Sequence, residues 1–466
     1  MRPSTPLSAD LPPLIMGTAT FNSQYNADPY ALPTTELVQR ALSRGVRAFD
    51  TSPYYGPAEE LLGRALATDF VQTSFPRSSY RLLTKVGRVA SASFDYSPRW
   101  IRHSVRRSLR RLNTDYLDVV YCHDVEFVPA ADILGAVREL RRLRDEEGLL
   151  RYVGISGYPV DTLSELAELV LRETGEPLDI VMSYANFTLQ NTRLASQALS
   201  RLVAAGVDVV PNASPLGMGL LRRDGVPIGS MGDFHPAPNA LRTAVHRAAE
   251  CAAQHGERLE VVAIRFALES WLRAGERAGA LGAPLARAAD ADPGFLSVAH
   301  IGTGKRLGVS VMGVSNIQEL DETLRVWHSI LDGLENWADN DGSDCESKIQ
   351  SAGVSTPQEL EPPSHPSNIL TPSEGLITDR AWSDARRTHI LQLTKEIRDA
   401  IGAEWVDYVW ASPPPDFQNT LPESHRSVLR KLEADGEDAE KRGLSPDLAE
   451  NEAMLTPPLD AEKQLA

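Results

Sequence analysis

Residues 152–185, YVGISGYPVDTLSELAELVLRETGEPLDIVMSYA, contain the pattern that decides the fold. Two short apolar runs, 152–157 and 180–185, enclose a segment at 161–173 in which apolar residues recur every three or four positions. Such runs are typical of strands that are covered on both faces, and the segment between them is typical of an amphipathic helix. The stretch therefore predicts a strand–helix–strand unit of a parallel sheet.

The same alternation extends in both directions along the chain. Further strands are predicted at 14–19, 47–52, 81–86, 118–123, 207–214 and 309–315, and a helical pattern follows each strand. Eight such units predict an α/β fold of the closed (β/α)8 type, the TIM barrel. An open doubly wound sheet is the alternative, but the sequence has no clear phosphate-loop fingerprint of the kind expected there.

The chain of 466 residues is longer than one such barrel requires. We assign the barrel to residues 1–336, with a loop insertion rich in Ala and Gly at about 276–308. The polar, proline-bearing segment 337–378 is predicted to be a flexible linker. Apolar residues at helical spacing within 379–410 predict a C-terminal extension that docks on the barrel. Residues 411–466 are predicted to form an acidic, disordered tail.

Composition limits the classes of function. A formal net charge of −16 argues against nucleic acid as the partner, because nucleic-acid binders present basic surfaces. Three scattered cysteines predict neither a disulfide framework nor a metal site. No window approaches the roughly 20 apolar residues of a membrane span. We therefore expect a cytoplasmic protein that acts on a small molecule, while the sequence does not indicate protein partners or the oligomeric state.

Four chemically complementary side chains lie at or just after the predicted strands. Asp50, Lys85 and His123 lie at the ends of the second, third and fourth strands, and Tyr55 follows Asp50 in the next loop. A carboxylate at the end of a buried strand is costly unless a partner compensates its charge. Active sites of this fold lie at the C-terminal ends of the strands, so we expect the four side chains to converge there.

This set suits hydride transfer between a carbinol and a nicotinamide. The hydroxyl proton needs a base, but a free tyrosine has a pKa near 10 and is a poor one at neutral pH. The ammonium of Lys85 is expected to lower the pKa of Tyr55, and Asp50 is expected to hold Lys85 in place. A neutral His123 would hydrogen-bond the substrate oxygen.

The segments FDTSPYYG (49–56), LLTKVGR (82–88), YCHDVE (121–126) and VGISGYP (153–159) resemble the aldo-keto reductase superfamily in order and spacing. The resemblance is strongest to its sugar dehydrogenases, and AEWVDYVW (403–410) adds to it. It implies the barrel and a nicotinamide cofactor bound without a separate dinucleotide-binding domain. It also implies that Asp50, Tyr55, Lys85 and His123 are the catalytic residues.

The resemblance further implies the residues that contact the cofactor. Ser156 matches the serine of a Ser-Asn pair that holds the carboxamide, with Gly157 in place of the asparagine, and a further acceptor maps near Ser183. A tyrosine that commonly stacks on the nicotinamide maps to Ala213. The segment along the pyrophosphate corresponds to Ser214, Pro215, Leu216 and Gly217. The adenosine end corresponds to Gly313, Ser315, Asn316, Gln318 and Glu319.

Glu319 bears on the choice between NAD and NADP. Relatives that use NADP often carry an arginine at the matching position, whereas a carboxylate would repel the 2′-phosphate and could accept a hydrogen bond from a free 2′-hydroxyl. NAD is therefore the expected cofactor. The alternative is that Glu319 is only a first-turn acid favoured by the helix dipole.

The resemblance implies NAD-dependent oxidation of an aldose at C1 to the aldonolactone. The expected substrate is D-arabinose and the expected product D-arabinono-1,4-lactone, a precursor of D-erythroascorbate. Two alternatives stay open. One is an NADP-dependent carbonyl reductase, and the other is a regulatory barrel that binds nicotinamide with little turnover.

Overall fold

A computed structural model describes residues 3–227, 232–281, 306–332 and 380–442 of the chain. Its strands are β1 (Leu14–Gly17), β2 (Ala48–Asp50), β3 (Arg81–Val86), β4 (Arg88–Ala90), β5 (Ser93–Phe94), β6 (Leu117–His123), β7 (Leu150–Gly157), β8 (Ile180–Tyr184), β9 (Asn212–Ala213) and β10 (Ser310–Gly313). Its helices are α1 (Thr34–Ser43), α2 (Ala58–Leu66), α3 (Asp69–Ser74), α4 (Pro98–Arg111), α5 (Ala130–Arg142), α6 (Val160–Thr174), α7 (Leu199–Ala204), α8 (Asn239–Gln254), α9 (Leu259–Ala274), α10 (Ile317–Asp332), α11 (Arg380–Ile401) and α12 (Glu423–Arg442).

Eight parallel strands close into a barrel in the order β1-β10-β9-β8-β7-β6-β3-β2. The predicted (β/α)8 barrel is thereby confirmed, and each barrel strand lies within a segment that the apolar runs indicate or extends it by no more than two residues. The remaining strands, β4 and β5, form an antiparallel hairpin directly after β3. This hairpin was not predicted, because its strands are only three and two residues long.

The interior of the barrel is packed with side chains and is not a pore. One buried cluster joins inward-facing residues of most barrel strands to the N-terminal segment, with members that include Leu7, Leu11, Ile15, Leu83, Val119, Tyr121, Ile180, Val209 and Val311. A second buried cluster fills the layer between the sheet and the helices. Both faces of the sheet are therefore covered, which explains why the strands are almost continuously apolar.

The predicted insertion at 276–308 begins and ends at the bottom of the barrel, where the strands start. Ala280 and Leu307 pair as an isolated antiparallel bridge, and the Leu281 amide donates to the carbonyl of Ser8 at 2.5 Å. Arg306 Nη2 is 2.6 Å from Asp208 Oδ1. Residues 282–305 lie outside the described residues. The described ends of the insertion are thus opposite the end at which the strands terminate.

Helix α11 packs on the side of the barrel. Ile390, Leu393, Ile397 and Ile401 are buried in a cluster with residues of α8 and α9. The Arg386 guanidinium forms a buried ion pair with Glu257. The predicted linker at 337–378 lies outside the described residues.

The segment 402–422, here named the C-terminal strap, continues from α11 across the top of the barrel to α12. The sequence predicted a disordered tail from residue 411 onward, and for residues 411–442 the structure differs. The Phe417 ring packs against those of Phe94 and Phe127, at centroid distances of 5.8 and 4.8 Å. The Asn419 side chain exchanges two hydrogen bonds with the Phe94 backbone, at 2.8 and 2.9 Å. Average composition misses such isolated anchors, and residues 443–466 lie outside the described residues.

Helix α12 lies against α4. His425, which is completely buried, is 2.8 Å from Asp95 through Nε2, and its ring packs against Trp100 at 4.0 Å between centroids. Val428 and Leu432 complete the contact with Trp100. Across the described ranges, no helix combines the length and the apolar character that crossing a membrane would need.

Candidate active site

The four side chains singled out from the strand ends meet in one place. The Lys85 ammonium donates to Asp50 Oδ1 at 2.6 Å and to the Thr51 carbonyl at 2.9 Å. The same ammonium lies 4.9 Å from the centre of the Tyr55 ring. The Tyr55 and His123 rings are edge to face at 5.8 Å. Parallel strands β2, β3 and β6 are neighbours in the barrel, which is why residues distant in sequence converge here.

The pKa of Tyr55 differs from the expectation based on Lys85. Burial raises the pKa of Tyr55 well above its ordinary value, and the negative charges of Asp50 and Asp124 raise it further. Arg88 lowers it in part. Lys85 and Asp50 form a short, charge-assisted hydrogen bond, so Asp50 compensates part of the charge that Lys85 presents to Tyr55. In this structure Tyr55 is therefore a protonated phenol at neutral pH.

His123 is neutral over the physiological pH range. Burial lowers the pKa of His123 to about 3, with Lys85 and Arg88 lowering it further against the opposing charge of Asp124. The Nδ1 atom lies 3.1 Å from Ser52 Oγ, and Nε2 lies 3.6 Å from Asp124 Oδ2. A neutral ring with one nitrogen held by Ser52 can present its other nitrogen to a substrate oxygen.

These side chains line a cavity of about 610 Å³ at the C-terminal ends of the strands. Of the residues assigned to catalysis or to the cofactor, those in its wall are Asp50, Tyr55, Lys85, His123, Ser156, Ser214, Pro215, Leu216, Gly313, Ser315, Asn316, Gln318 and Glu319. The structure brings all of them to the wall of one cavity. Their individual roles stay predictions.

Two of the assigned residues, Ser183 and Gly217, are not part of the cavity wall. Met182 and Tyr184 line the cavity, so Ser183 between them faces away, as alternation along a strand requires. Its hydroxyl oxygen accepts from Asn186 at 3.0 Å instead. Gly217 has a φ of 56° and donates its amide to Ser214 at 2.8 Å, so it shapes the turn and does not line the space.

The structure gives a reason for the glycine at 157. A Cβ atom added to Gly157 would lie 2.4 Å from Glu126 Oε2. Glu126 Oε1 accepts from the Tyr158 amide at 3.1 Å and from the Ser412 hydroxyl at 2.8 Å. A carboxyl group therefore occupies the space beside β7 into which any side chain at position 157 would extend.

Glu319 lies in the wall and also in the first turn of helix α10. Its Oε2 accepts from the Ser315 amide at 2.7 Å, while its own amide donates to Asn316 Oδ1 at 2.9 Å. Asn316 thus caps the helix, and Glu319 satisfies the amide just before the cap. Glu319 is an acid in the first turn of α10, as the helix-dipole alternative requires, and its Oε1 has no hydrogen-bond partner among the described residues.

Sequence reasoning assigned no role to two charged residues that flank His123. Arg88 and Asp124 both line the cavity and form an ion pair with each other. The Arg88 guanidinium also lies 3.8 Å from the centre of the Tyr54 ring. Both residues belong to the segments that carried the family resemblance, TKVGR and YCHDVE, so a signal for them was present in the sequence.

The C-terminal strap contributes Trp410, Ala411, Ser412 and Pro414 to the same wall. The Trp410 ring stacks on Tyr158 at 4.5 Å with an interplanar angle of 9°. One side of the cavity is thus built by residues more than 200 positions beyond the strand ends that carry the four predicted residues.

The part of the cavity formed by the turn at 214–219 and by the start of α10 has features that suit a dinucleotide cofactor. Ser214, Gly217, Met218 and Gly219 all have φ values between 56° and 92°. Turns that contain left-handed residues can present backbone amides to an anion, although the Gly217 amide itself is taken by the Ser214 carbonyl. The N-terminus of α10, a 16-residue helix, adds the positive end of its dipole. These features suit a pyrophosphate.

Comparison with known proteins gives an independent result. The model of the Aldo/keto reductase family matches residues 13–335. The chain is 42% identical over 269 residues to D-arabinose 1-dehydrogenase of Saccharomyces cerevisiae, spanning 57% of this chain and 78% of that protein. It is 35% identical over 234 residues to L-galactose dehydrogenase of Arabidopsis thaliana, spanning 50% of this chain and 68% of that protein. It is 26% identical over 265 residues to D-threo-aldose 1-dehydrogenase of a Pseudomonas species, spanning 51% and 75%.

Proposed function

Because the chain belongs to the aldo/keto reductase family, we propose that it oxidises an aldose at C1 to the aldonolactone with NAD as hydride acceptor. The proposed substrate is D-arabinose and the product D-arabinono-1,4-lactone. The observation that carries the proposal is the cluster of Asp50, Lys85, Tyr55 and His123 in one cavity, in a chain 42% identical to a D-arabinose 1-dehydrogenase.

In this reaction the C1–H bond breaks, C1 becomes a carbonyl carbon, and the C1 hydroxyl loses its proton. A nicotinamide cofactor supplies the hydride acceptor. Tyr55, once deprotonated, takes the hydroxyl proton, and the nearby Lys85 ammonium stabilises the phenolate before transfer. His123 donates a hydrogen bond to the reacting oxygen from its cavity-facing nitrogen.

The preference for NAD over NADP rests on the charges near α10. Glu260, Glu319 and Glu322 line the cavity there together with Arg258, and Arg222 lines it on the adjoining turn. Arg258 forms ion pairs with two of these carboxylates. Its Nη2 lies 3.0 Å from Glu322 Oε2, and its Nε lies 3.8 Å from Glu260 Oε1. A 2′-phosphate would meet more negative than positive charge in this group, whereas a free 2′-hydroxyl would find acceptors.

The test measures the initial rise of absorbance from reduced nicotinamide with D-arabinose, using NAD and NADP in parallel. Rapid turnover with NAD, weaker turnover with NADP, and a loss of about 10²–10⁴-fold in Tyr55→Phe are expected. Tyr30→Phe is the matched control, because Tyr30 is 60% exposed and lies outside the cavity.

Other outcomes would select the alternatives. Measurable NAD binding without oxidation of any aldose would overturn the proposal in favour of a regulatory barrel. Faster reduction of simple carbonyl compounds with reduced NADP than oxidation of aldoses with NAD would favour the carbonyl reductase.

A further inference from the structure

Asp124 is held in an unusual place and conformation. It follows His123 directly, has a φ of 54° in the left-handed region, and is 2% exposed. Left-handed backbone is unfavourable for residues other than glycine, although aspartate and asparagine tolerate it best. Such strain at a cavity wall suggests that the position of this carboxylate serves function.

The carboxylate is fixed on one side and open on the other. Arg88 Nη1 donates to Asp124 Oδ2, and the same oxygen lies 3.6 Å from His123 Nε2. Asp124 Oδ1 has no hydrogen-bond partner among the described residues, and Asp124 lines the cavity. Because Asp124 lines the cavity and this oxygen has no donor from the described residues, it is free to accept a hydrogen bond from a ligand.

Arg88 is itself immobilised. Its Nη2 donates to the Ser91 carbonyl at 3.2 Å, within the β4–β5 hairpin. Its guanidinium is stacked over Tyr54 at 3.8 Å and lies near the Phe94 ring at 5.5 Å. Arg88 therefore acts as a positioning residue that keeps Asp124 ionised and in place. Burial alone would raise the pKa of Asp124, but the charge of Arg88 and its hydrogen bond to the carboxylate help to hold that pKa below its ordinary value.

The position of Asp124 next to His123 indicates which hydroxyl of the sugar it contacts. If His123 Nε2 donates to the oxygen on the reacting carbon, Asp124, whose Oδ2 lies 3.6 Å from that nitrogen, is within reach of the oxygen on the adjacent carbon. We propose that Asp124, positioned by Arg88, accepts a hydrogen bond from the C2 hydroxyl of the sugar and so selects aldoses that carry this hydroxyl. The inference rests on the proposed sugar oxidation and specifies which hydroxyl the site reads.

A substrate without the C2 hydroxyl would leave a buried carboxylate oxygen unpaired. Hydrogen bonds to charged groups contribute about 1.5–3 kcal/mol, which corresponds to roughly 10- to 150-fold in kcat/KM. The wild-type protein should therefore oxidise D-arabinose at least about 10-fold more efficiently than 2-deoxy-D-ribose, its C2-deoxy counterpart. Equal efficiency with the two sugars would overturn the inference without any variant.

Asp124→Asn tests the assignment directly, because asparagine keeps the shape and tolerates the left-handed backbone. Its kcat/KM for D-arabinose should fall about 10-fold or more beyond any change for 2-deoxy-D-ribose, so that the ratio between the two sugars approaches one. Arg88→Lys should reduce the ratio between the two sugars in the same direction. An equal loss for both sugars in Asp124→Asn would overturn the inference and indicate a general role through His123 or the fold.

Asp161→Asn is the matched control, since Asp161 is also paired with an arginine, Arg201 at 3.7 Å, but lies outside the cavity. It should leave the ratio between the sugars unchanged. Failure of the proposed function is distinguishable: a wild-type protein that binds NAD but oxidises neither sugar overturns both statements. Turnover of D-arabinose without discrimination overturns only the C2 assignment.

Discussion

Ser52 lies between the backbone and His123 and bears on which ring nitrogen carries the proton. Its Oγ accepts from the Tyr54 amide at 3.1 Å and lies 3.1 Å from His123 Nδ1. Because the amide can only donate, the hydroxyl proton of Ser52 is available for Nδ1. His123 would then carry its own proton on Nε2, where Asp124 Oδ2 lies at 3.6 Å. That tautomer supplies the donor that the proposed reaction needs.

Removing the Ser52 hydroxyl should therefore change the tautomer of His123 while the fold stays intact. In Ser52→Ala we expect kcat to fall by about 10-fold, in line with a hydrogen bond of about 1.4 kcal/mol, while the affinity for NAD stays the same. The ¹⁵N chemical shifts of His123 should change from one defined tautomer to a mixture. Ser196→Ala, on an exposed helix turn, is the control. A wild-type ring protonated on Nδ1 would contradict this account.

Tyr55 should give the oxidation a characteristic pH dependence. Since burial raises its pKa, the phenolate is the minor form at neutral pH and becomes more populated as the pH rises. We expect log kcat for aldose oxidation to increase by about one unit per pH unit through the neutral and mildly alkaline range. Stopped-flow measurement of the hydride-transfer step would show it. A flat profile from pH 6 to 9 would mean that another group takes the proton or that another step limits the rate.

The four strand-end residues were accessible from the sequence, because each lies at or near the end of an apolar run and the barrel brings such ends together. Arg88 and Asp124 lie in the segments that carried the family resemblance, but their ion pair could not be predicted, since it depends on a short hairpin and on one left-handed residue. The assignment of Ser183 to the cavity wall was wrong for a related reason, because its neighbours Met182 and Tyr184 line the cavity instead. A one-residue difference along a strand reverses the face on which a side chain lies.

At the level of elements, the loop after β6 connects the barrel to the C-terminal strap. Glu126 in this loop joins the Tyr158 amide at the end of β7 to the Ser412 hydroxyl in the strap. Its Oε2 is buried without a hydrogen-bond partner among the described residues. Burial, followed by the negative charge of Asp124, raises the pKa of Glu126 to about 8. The carboxyl is thus protonated at neutral pH.

The raised pKa predicts the sign of a pH effect on stability. The folded protein keeps the Glu126 proton up to about pH 8, whereas the unfolded chain loses it near its ordinary value of 4.5. This contribution to stability is present below pH 4.5 and is lost as the pH rises toward 8.

The wild type should therefore lose stability relative to Glu126→Gln as the pH rises from 5 to 8. The free energy of unfolding of the variant minus that of the wild type should increase by at most about 1.4 kcal/mol per pH unit. Urea unfolding at several pH values measures the difference. Glu173→Gln on the exposed side of α6 is the control. A constant difference between variant and wild type would show that Glu126 is ionised in the folded protein.

At the level of the whole molecule, the described part of the chain after α10 contacts the barrel at three places. Helix α11 packs on α8 and α9, the strap lines the cavity, and α12 packs on α4. The acidic, proline-bearing composition of residues 411–442 indicated disorder because few of them are apolar. Phe417 and His425 nevertheless find aromatic partners on the barrel, and partners contributed by other elements cannot be read from local composition.

Two truncations separate the strap and α12 from the residues that follow. Removal of residues 412–466 takes away Ser412, Phe417 and His425 and exposes the Phe94, Phe127 and Trp100 rings. We expect Tm to fall by more than about 5 °C, since each buried aromatic side chain contributes roughly 1.5–3 kcal/mol. KM for D-arabinose should rise while the Kd for NAD stays unchanged, because Ser412 of the strap bonds to Glu126, three residues after His123. Removal of residues 443–466 alone should change neither quantity and serves as the control. Wild-type Tm and KM in the longer truncation would show that the described contacts of the strap and α12 contribute nothing in solution.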